Sequence, residues 1–226
     1  GLITYMRTDA THVAPEAQQQ AQAYIDRTWG AEYRPERPPR YRSKVANAQE
    51  AHEAIRPTSV ERTPEAMARH LTKPQARVYD LIWRRFMASQ MKPALYATVT
   101  VDISPGTDCL FRATGSSLLF AGYTVVYADA RDRKESEERP LPPLAKGDAL
   151  TLIKLLPEQH FTQPPPRYNE TSLIRALEEH CIGRPSTYAS IIGVIQDRGY
   201  VVKENKQLQP TDLGFVVCDA LVATFP

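Results

Sequence analysis

A tyrosine and an arginine lie two residues apart in the stretch LITYMRTD near the beginning of the chain, at Tyr5 and Arg7. A tyrosine phenol, with a pKa of about 10, is an effective nucleophile only where a nearby cation stabilises the phenolate and the charge developing on its target. Arginine suits a phosphate target, because its planar fork can donate two hydrogen bonds at once. The pair therefore allows attack on phosphorus, although most tyrosines beside apolar residues simply pack with the hydroxyl at the surface.

A second group of polar side chains occurs in the stretch QEAHEAIRPT. His52 and Glu53 begin like the zinc-protease motif H-E-x-x-H, but Arg56 occupies the position of the second histidine, which excludes that site. An imidazole, a carboxylate and an arginine within five residues are suited to handling phosphate or transferring a proton. The alternative is an ordinary polar helix end that Pro57 terminates.

A third candidate site is the stretch GRPSTY. A helix that begins at Pro185 leaves backbone N–H groups free at its N-terminus and places Arg184 and the hydroxyls of Ser186 and Thr187 beside them. At about 100° and 1.5 Å per residue, Arg198 shares a helix face with Thr187, about 16 Å away, so one nucleic-acid strand could touch both. The alternative is that the hydroxyls cap the helix while the arginines are solvated.

The elements that position these residues fall into three zones, of which the first, residues 1–92, is mostly helical. Helices are predicted over Pro15–Trp29 and Gln75–Met91. Between them, the prolines and arginines of residues 33–42 predict an extended, exposed connection. The apolar stripe predicted on the second helix consists of Val78, Leu81, Ile82, Trp83 and Phe86.

The second zone, residues 93–160, changes to the period of two that is typical of paired strands. The stretches TVTVDI, LFRATG, SLLFAGYTVVY and ALTLIKLL are rich in Val, Thr, Tyr and Phe, and each predicts a strand. Within the zone, the mixed charges of residues 129–147 predict a mobile, solvated loop.

The third zone, residues 161–226, has the pattern of a helix-turn-helix with a wing. A helix over 171–180 is followed by Gly183, which is predicted to stop it, and then by a helix from about Pro185 to Asp197. Gly199 ends that helix, and the stretch YVVKENKQLQPT predicts a short hairpin. This layout is common in nucleic-acid-binding domains. The fold class predicted for the chain is therefore α+β, with three domains.

Composition restricts the class of protein. The 226 residues are 42% hydrophobic, which is enough for real cores, yet no apolar run approaches the roughly 18 residues that cross a bilayer. No leader pattern is present, so export is not expected. Cys109, Cys181 and Cys218 form no C-x-x-C pair, which argues against a disulfide framework or zinc ribbon and favours a reducing cytoplasm. A net charge of +2 leaves a nucleic-acid partner open.

The three motifs together resemble one family. LITYMRTD, QEAHEAIRPT, and IGRPSTYASII with IQDRGYV, in this order and separation, are similar to bacterial DNA topoisomerase I, a type IA DNA topoisomerase, over essentially the whole chain. The resemblance implies an enzyme that cuts one DNA strand through a tyrosine joined to the 5′ phosphate, passes a strand through the gap and reseals it. It also implies a toroidal core built from a helical tyrosine-bearing domain (1–92), a β-rich arch (93–160) and a winged-helix-like strand-binding segment (161–226).

The resemblance implies roles for individual residues. Tyr5 matches the nucleophile, Arg7 would grip the scissile phosphate, and His52 would act near the cleavage site with a role in proton transfer. The other residues expected to bind or position DNA are Thr4, Asp9, Arg56, Arg184, Ser186, Thr187 and Arg198.

The resemblance further implies a central fragment of a longer enzyme. In the family an acidic Mg²⁺-binding domain precedes the tyrosine and zinc ribbons often follow the core, so no metal site is expected in this chain and no ATP is needed. The implied partner is single-stranded and negatively supercoiled DNA, bound by a monomer in the cytoplasm at the nucleoid, with no membrane association.

Two alternatives remain from the sequence. Reverse gyrase shares this core but adds a helicase-like ATPase, and this chain has no GxxxxGK[ST] phosphate loop. A non-catalytic winged-helix module accounts for residues 171–211 but leaves Tyr5 and His52 unexplained.

Overall fold

The chain folds into two compact units with mixed α and β structure. They comprise residues 1–151 and 152–226 of a computed structural model. The structure describes residues 1–8, 10–41, 52–106, 109–128 and 140–225. Asp9 and most of the predicted charged loop, residues 129–139, therefore lie outside the described residues. The division into three domains stays a prediction.

The first unit begins with helices whose ends the sequence encodes locally. Helix α1 spans Pro15–Thr28, with proline in its first turn, and helix α2 spans the short Pro64–Met67. Helix α3 spans Lys73–Ser89 and starts from Thr72 in a capping box with Gln75. The boundaries of α1 and α3 confirm the two helices predicted from periodicity to within two residues.

The core of this unit lies between α1 and α3. The buried members of α1 are Ala17, Ala21 and Ile25; those of the facing side of α3 are Tyr79, Trp83, Phe86 and Met87. Trp83 also donates from its indole Nε1 to the Val60 carbonyl oxygen over 3.0 Å. The predicted stripe was therefore right for Trp83 and Phe86 but wrong for Val78 and Leu81, which are about half exposed.

A long antiparallel hairpin follows the helices. Strand β1 spans Leu95–Ile103 and strand β2 spans Phe111–Phe120, paired from Tyr96 opposite Leu118 to Ile103 opposite Phe111. Arg112 bridges to Asp102 across the pair over 2.6 Å. The two predicted strands TVTVDI and LFRATG are confirmed, and β2 continues through the beginning of SLLFAGYTVVY.

Two parts of the predicted β zone do not form strands. After β2 the chain enters a 3₁₀ turn at Gly122–Val125, and Val126 becomes part of the helical core, which draws AGYTVVY away from the hairpin. The predicted strand ALTLIKLL pairs with no strand among the described residues, and Ile153 within it is 96% exposed. A strand requires a partner for its N–H and C=O groups, and the period of two does not supply one.

The second unit contains the two helices and the short hairpin that its sequence predicts. Helix α4 spans Glu170–Glu179 and helix α5 spans Tyr188–Asp197. Strands β3 (Val201–Glu204) and β4 (Gln207–Pro210) form a hairpin with a two-residue turn. The hairpin turn at Asn205-Lys206 has positive φ at both residues. Such a turn matches the twist of paired strands, and the predicted hairpin is confirmed.

Two helix boundaries in this unit differ from the prediction. Helix α4 is closed by Cys181, at a φ of 57°, two residues before the expected Gly183, with the Ile182 N–H bonded to the Leu177 carbonyl. Helix α5 begins at Tyr188 and not at Pro185, because Thr187 closes a separate turn back onto Arg184.

A final helix, α6, spans Asp212–Thr224 and was not predicted. Thr211 caps it by accepting a hydrogen bond from the Gly214 N–H over 3.1 Å. Among the residues described, no helix is long and apolar enough to cross a membrane.

Candidate active site

Tyr5 is carried on a segment that is paired with the HEAIRPT stretch. Ile3 forms an antiparallel bridge with Pro57, flanked by hydrogen bonds from Thr4 N to Arg56 O at 3.0 Å and from Thr58 N to Leu2 O at 2.9 Å. Pro57, one of the two bridge residues, is fully buried. Two motifs that lie about fifty residues apart are thus joined through their backbones, so each fixes the position of the other.

The Thr4 side chain strengthens the same connection. Its hydroxyl donates to the Ala54 carbonyl oxygen over 2.8 Å and accepts from the Arg56 N–H over 3.0 Å. Thr4 was expected to help position or bind DNA. In this structure its hydroxyl is engaged within the protein, one residue before Tyr5.

Tyr5, Arg7 and His52 come together at the end of this paired segment. The Tyr5 and His52 rings are 6.3 Å apart between centroids, and Arg7 Nη1 lies 3.4 Å from Nδ1 and 3.3 Å from Nε2 of His52. Since a guanidinium only donates, a hydrogen bond between them requires an unprotonated nitrogen on the imidazole. Tyr5 itself is 77% exposed.

This arrangement brings a phenol, a guanidinium and an imidazole to one surface. The exposed Tyr5 phenol can reach a bound phosphate, and Arg7 supplies a fixed positive charge near it. The His52 imidazole can accept or donate a hydrogen bond at the same place. The combination suits covalent attack on a phosphodiester.

Glu53, which the sequence grouped with His52 and Arg56 as suited to phosphate handling or proton transfer, is bonded within the protein. Its Oε1 accepts from the Ala14 N–H over 3.0 Å and from Arg56 Nε over 2.6 Å, and its Oε2 accepts from Arg56 Nη2 over 3.1 Å. Burial alone would raise the pKa of Glu53, but these hydrogen bonds and the charges of Arg56 and His12 outweigh it and lower the pKa below 4.5. The Glu-x-x-Arg spacing is the signal that could have identified the pair.

Arg56 was expected to bind DNA, and its guanidinium is engaged within the protein. Besides the two bonds to Glu53, its Nη1 donates to the Pro57 carbonyl oxygen over 3.0 Å. The Arg56 side chain is only 15% exposed. Asp9, also expected near this site, lies outside the described residues.

The second unit holds the remaining candidates around α5. Arg184, Ser186, Thr187 and Arg198 are all exposed, with Thr187 preceding the helix and Arg198 following it. The Thr187 hydroxyl accepts from Arg184 N over 2.8 Å and donates to Arg184 O over 3.0 Å. The predicted cradle is therefore a closed turn before α5 instead of the first turn of the helix.

Gly183 is required at the start of this turn. Its φ is +76°, and an added Cβ would lie 3.0 Å from both Thr187 Oγ1 and Ile191 Cδ1. Any larger residue would be strained and would press on the hydroxyl that closes the turn.

The residues described offer no donor set for a metal ion. Nowhere in ranges 1–8, 10–41, 52–106, 109–128 and 140–225 do three or more His, Cys, Asp or Glu side chains group in a way that could hold one. These residues therefore do not fit the Mg²⁺ site that the resemblance implies for the complete enzyme.

Comparison with known proteins gives a consistent result. The profile of a family described as DNA topoisomerase matches residues 1–226. Proteins named DNA topoisomerase 1 from two strains of Xylella fastidiosa, 9a5c and Temecula1, are each 46% identical over 229 residues. The match covers 100% of this chain and 28% of each relative, so the chain spans little more than a quarter of their length.

A solved structure agrees over nearly the whole chain. Full-length topoisomerase I from Thermotoga maritima is similar with a TM-score of 0.85 and 37% sequence identity. The similarity covers 99% of this chain and 35% of the Thermotoga chain.

Proposed function

The chain belongs to the bacterial DNA topoisomerase family, and we propose that it is the tyrosine-bearing part of a type IA enzyme that relaxes negatively supercoiled DNA without ATP. The observation that carries the proposal is the convergence of Tyr5, Arg7 and His52 from two motifs onto one exposed surface. The names of the Xylella relatives favour this reading over a reverse gyrase.

In the cleavage step, the Tyr5 Oη attacks the phosphorus of a phosphodiester in one DNA strand. The new bond joins the tyrosine to the 5′ phosphate and the phenol gives up its proton, while the bond from phosphorus to the 3′ oxygen breaks and that oxygen takes up a proton. Arg7 stabilises the charge on the phosphoryl oxygens, and His52 assists the proton transfer.

Resealing is the reverse of cleavage. The free 3′ hydroxyl attacks the phosphotyrosine, and the Tyr5 phenol leaves with a proton. Because one phosphodiester is exchanged for another, the covalent intermediate retains the energy of the broken bond and no ATP is consumed.

The second unit would hold the single strand. Arg184 and Arg198 flank α5 as exposed cations, and the hydroxyls of Ser186 and Thr187 lie between them in sequence. Exposed cations along one helix are suited to the spaced phosphates of a nucleic-acid backbone. We place the protein in the cytoplasm, as a monomer at the nucleoid.

The family's Mg²⁺ is assigned to residues outside those described. When bound in the complete enzyme it would neutralise phosphate charge. The zinc modules that the resemblance implies for some members of the family would also lie elsewhere in the complete enzyme.

The decisive experiment detects the covalent adduct in the full-length protein. A 3′-labelled single-stranded oligonucleotide is incubated with the protein and Mg²⁺, denaturant traps the complex, and mass spectrometry locates the label. We expect the label on Tyr5, and none in a Tyr5→Phe variant that still binds the oligonucleotide. Binding without any adduct would favour a non-catalytic winged-helix module, for which the fold of the second unit would suffice.

A further inference from the structure

The two residues that follow His52 are hydrogen-bonded to two other parts of the first unit, Thr4 and the stretch that leads into α1. The Ala54 N–H donates to the His12 carbonyl oxygen over 2.7 Å, and the Thr4 hydroxyl donates to the Ala54 carbonyl oxygen. Glu53, directly after His52, accepts from the Ala14 N–H at the start of α1. These bonds restrict the backbone of the residues that follow the imidazole.

Within the segment, the ion pair between Glu53 and Arg56 closes a tight loop. Two nitrogens of one guanidinium meet both oxygens of one carboxylate, at 2.6 and 3.1 Å, and a third nitrogen bonds to the carbonyl of Pro57. The side chains are 27% and 15% exposed, so solvent screens the pair less than a surface ion pair. A bidentate ion pair of this kind also fixes the relative orientation of the two side chains.

We infer that Glu53 and Arg56 are positioning residues that set the His52 imidazole against Tyr5 and Arg7. The inference rests on the proposed function, because it concerns the geometry of the same active site. Neither side chain needs to contact DNA. Glu53 is hydrogen-bonded to the start of α1 and Arg56 orients Glu53, so together they restrict the position of the adjacent His52.

A direct phosphate contact by Arg56 is the competing role. It would require a largely buried guanidinium to exchange its bonds to Glu53 and Pro57 for bonds to DNA, leaving a half-buried carboxylate without its cation. The two roles predict different kinetics. A positioning pair affects the rate of the chemical step, whereas a phosphate contact affects binding and its salt dependence.

The test uses the full-length protein and single-turnover adduct formation on a 3′-labelled oligonucleotide with Mg²⁺. The variants are Glu53→Gln, Arg56→Gln and the double variant. We expect each single change to lower the rate constant at saturating oligonucleotide about tenfold or more, since small misplacements of reacting groups have effects of this size. The half-saturating concentration should change by less than about twofold, and the double variant should be no slower than the slower single variant.

A matched control removes a comparable ion pair elsewhere. Arg84 Nε and Asp80 Oδ1 lie 2.6 Å apart on α3, the same distance as the Arg56–Glu53 contact. Asp80→Asn should leave the rate constant of adduct formation unchanged. If Glu53→Gln does not fold, Arg56→Lys, which keeps the cation but loses the fork, is measured instead and should be slowed in the same way.

Several outcomes overturn the inference. A normal saturating rate in Glu53→Gln, or in Arg56→Lys where that variant stands in, would do so while Tyr5→Phe still abolishes the adduct. So would an Arg56→Gln variant that mainly weakens binding and reduces its salt dependence. An adduct formed by Tyr5→Phe would overturn the proposed function itself, and this inference with it.

Discussion

At the scale of single residues, Arg7 is the side chain that we propose acts on a phosphate beside Tyr5. Its guanidinium lies against the His52 imidazole, and the Tyr5 phenol is exposed next to both. A charge held in place before the reaction stabilises the transition state without reorganisation. The contribution of Arg7 should therefore appear in the rate and not in affinity.

We expect Arg7→Ala to slow adduct formation in the full-length protein by about 100-fold, the usual effect of losing one transition-state donor. Oligonucleotide affinity should fall by less than about fivefold, because other cations also contact the backbone. Quenched-flow measurement of the adduct gives the rate, and fluorescence anisotropy gives the affinity. Equal losses in both would show that Arg7 only binds the strand.

Glu53 makes the free energy of unfolding of the chain depend on pH. Its hydrogen bonds and nearby cations, Arg56 and His12, lower its pKa in the folded state below the ordinary 4.5, so the unfolded chain takes up the proton more readily. The stabilisation is therefore present above about pH 4.5 and is lost as pH falls through the lower, folded pKa.

Between about pH 5 and pH 3, the native chain should lose more stability than Glu53→Gln, which cannot titrate at this position. Denaturant midpoints measured by circular dichroism across that range provide the test. Glu178→Gln, an exposed substitution in α4 of the other unit, is the control and should follow the native curve. Parallel curves for native protein and Glu53→Gln would contradict the assignment.

At the scale of elements, helices α4 and α5 of the second unit end in the same way with different residues. Cys181 after α4 and Gly199 after α5 both have positive φ, 57° and 67°, and each is followed by an N–H bonded back into its helix. Only glycine adopts this backbone without steric cost. The two positions therefore form a matched pair for substitution.

We expect Gly199→Ala to reduce the free energy of unfolding by about 1 kcal/mol, although an added methyl group there meets no neighbour within 4 Å. Cys181→Gly should raise it by about 0.5 kcal/mol, because it relieves the backbone strain of a side chain in the left-handed region. Chemical denaturation measures both changes. Effects of the same sign would show that conformational strain is not what distinguishes the two ends.

At the scale of the whole molecule, the chain contains the candidate catalytic side chains Tyr5, Arg7 and His52 but spans only part of the length of its topoisomerase relatives. It covers 28% of the Xylella relatives, and its described residues contain no group of side chains that could hold a metal ion. Strand passage requires a gap to be opened between parts of a protein while both DNA ends are held.

The chain alone, with Mg²⁺, is therefore expected not to relax negatively supercoiled plasmid. The full-length protein in the same gel assay is the positive control. Relaxed product from the 226-residue chain would contradict this expectation.

Binding of single-stranded DNA should be retained weakly and should depend on salt. Each of Arg184→Ala and Arg198→Ala is expected to reduce the slope of log affinity against log salt concentration by about 0.7, the value for one lost contact with a single strand. Arg175→Ala, an exposed substitution on α4, is the matched control and should leave the slope unchanged. Titrations at several salt concentrations decide the matter, and equal slopes for all three variants would exclude a specific role for α5.

The sequence by itself determined the features that are encoded in short windows. Helix α1 follows from its Ala and Gln content and helix α3 from apolar spacing, and the hairpin follows from two short strands around Asn205-Lys206. The candidate nucleophile Tyr5 and the arginine Arg7 also lie only two residues apart in the chain. Local hydrogen bonds and the steric limits of the backbone act over a few residues, so a few residues suffice to predict them.

Tertiary structure alone decided which distant parts meet. It brought His52 to Tyr5, turned Tyr79 and Met87 of α3 inward, and left the predicted strand around Ile153 without a partner among the described residues. Helix α6 was not predicted because its apolar run shows no clear helical period. Burial and strand pairing depend on contacts between segments far apart in the chain, and the local pattern does not specify the partner.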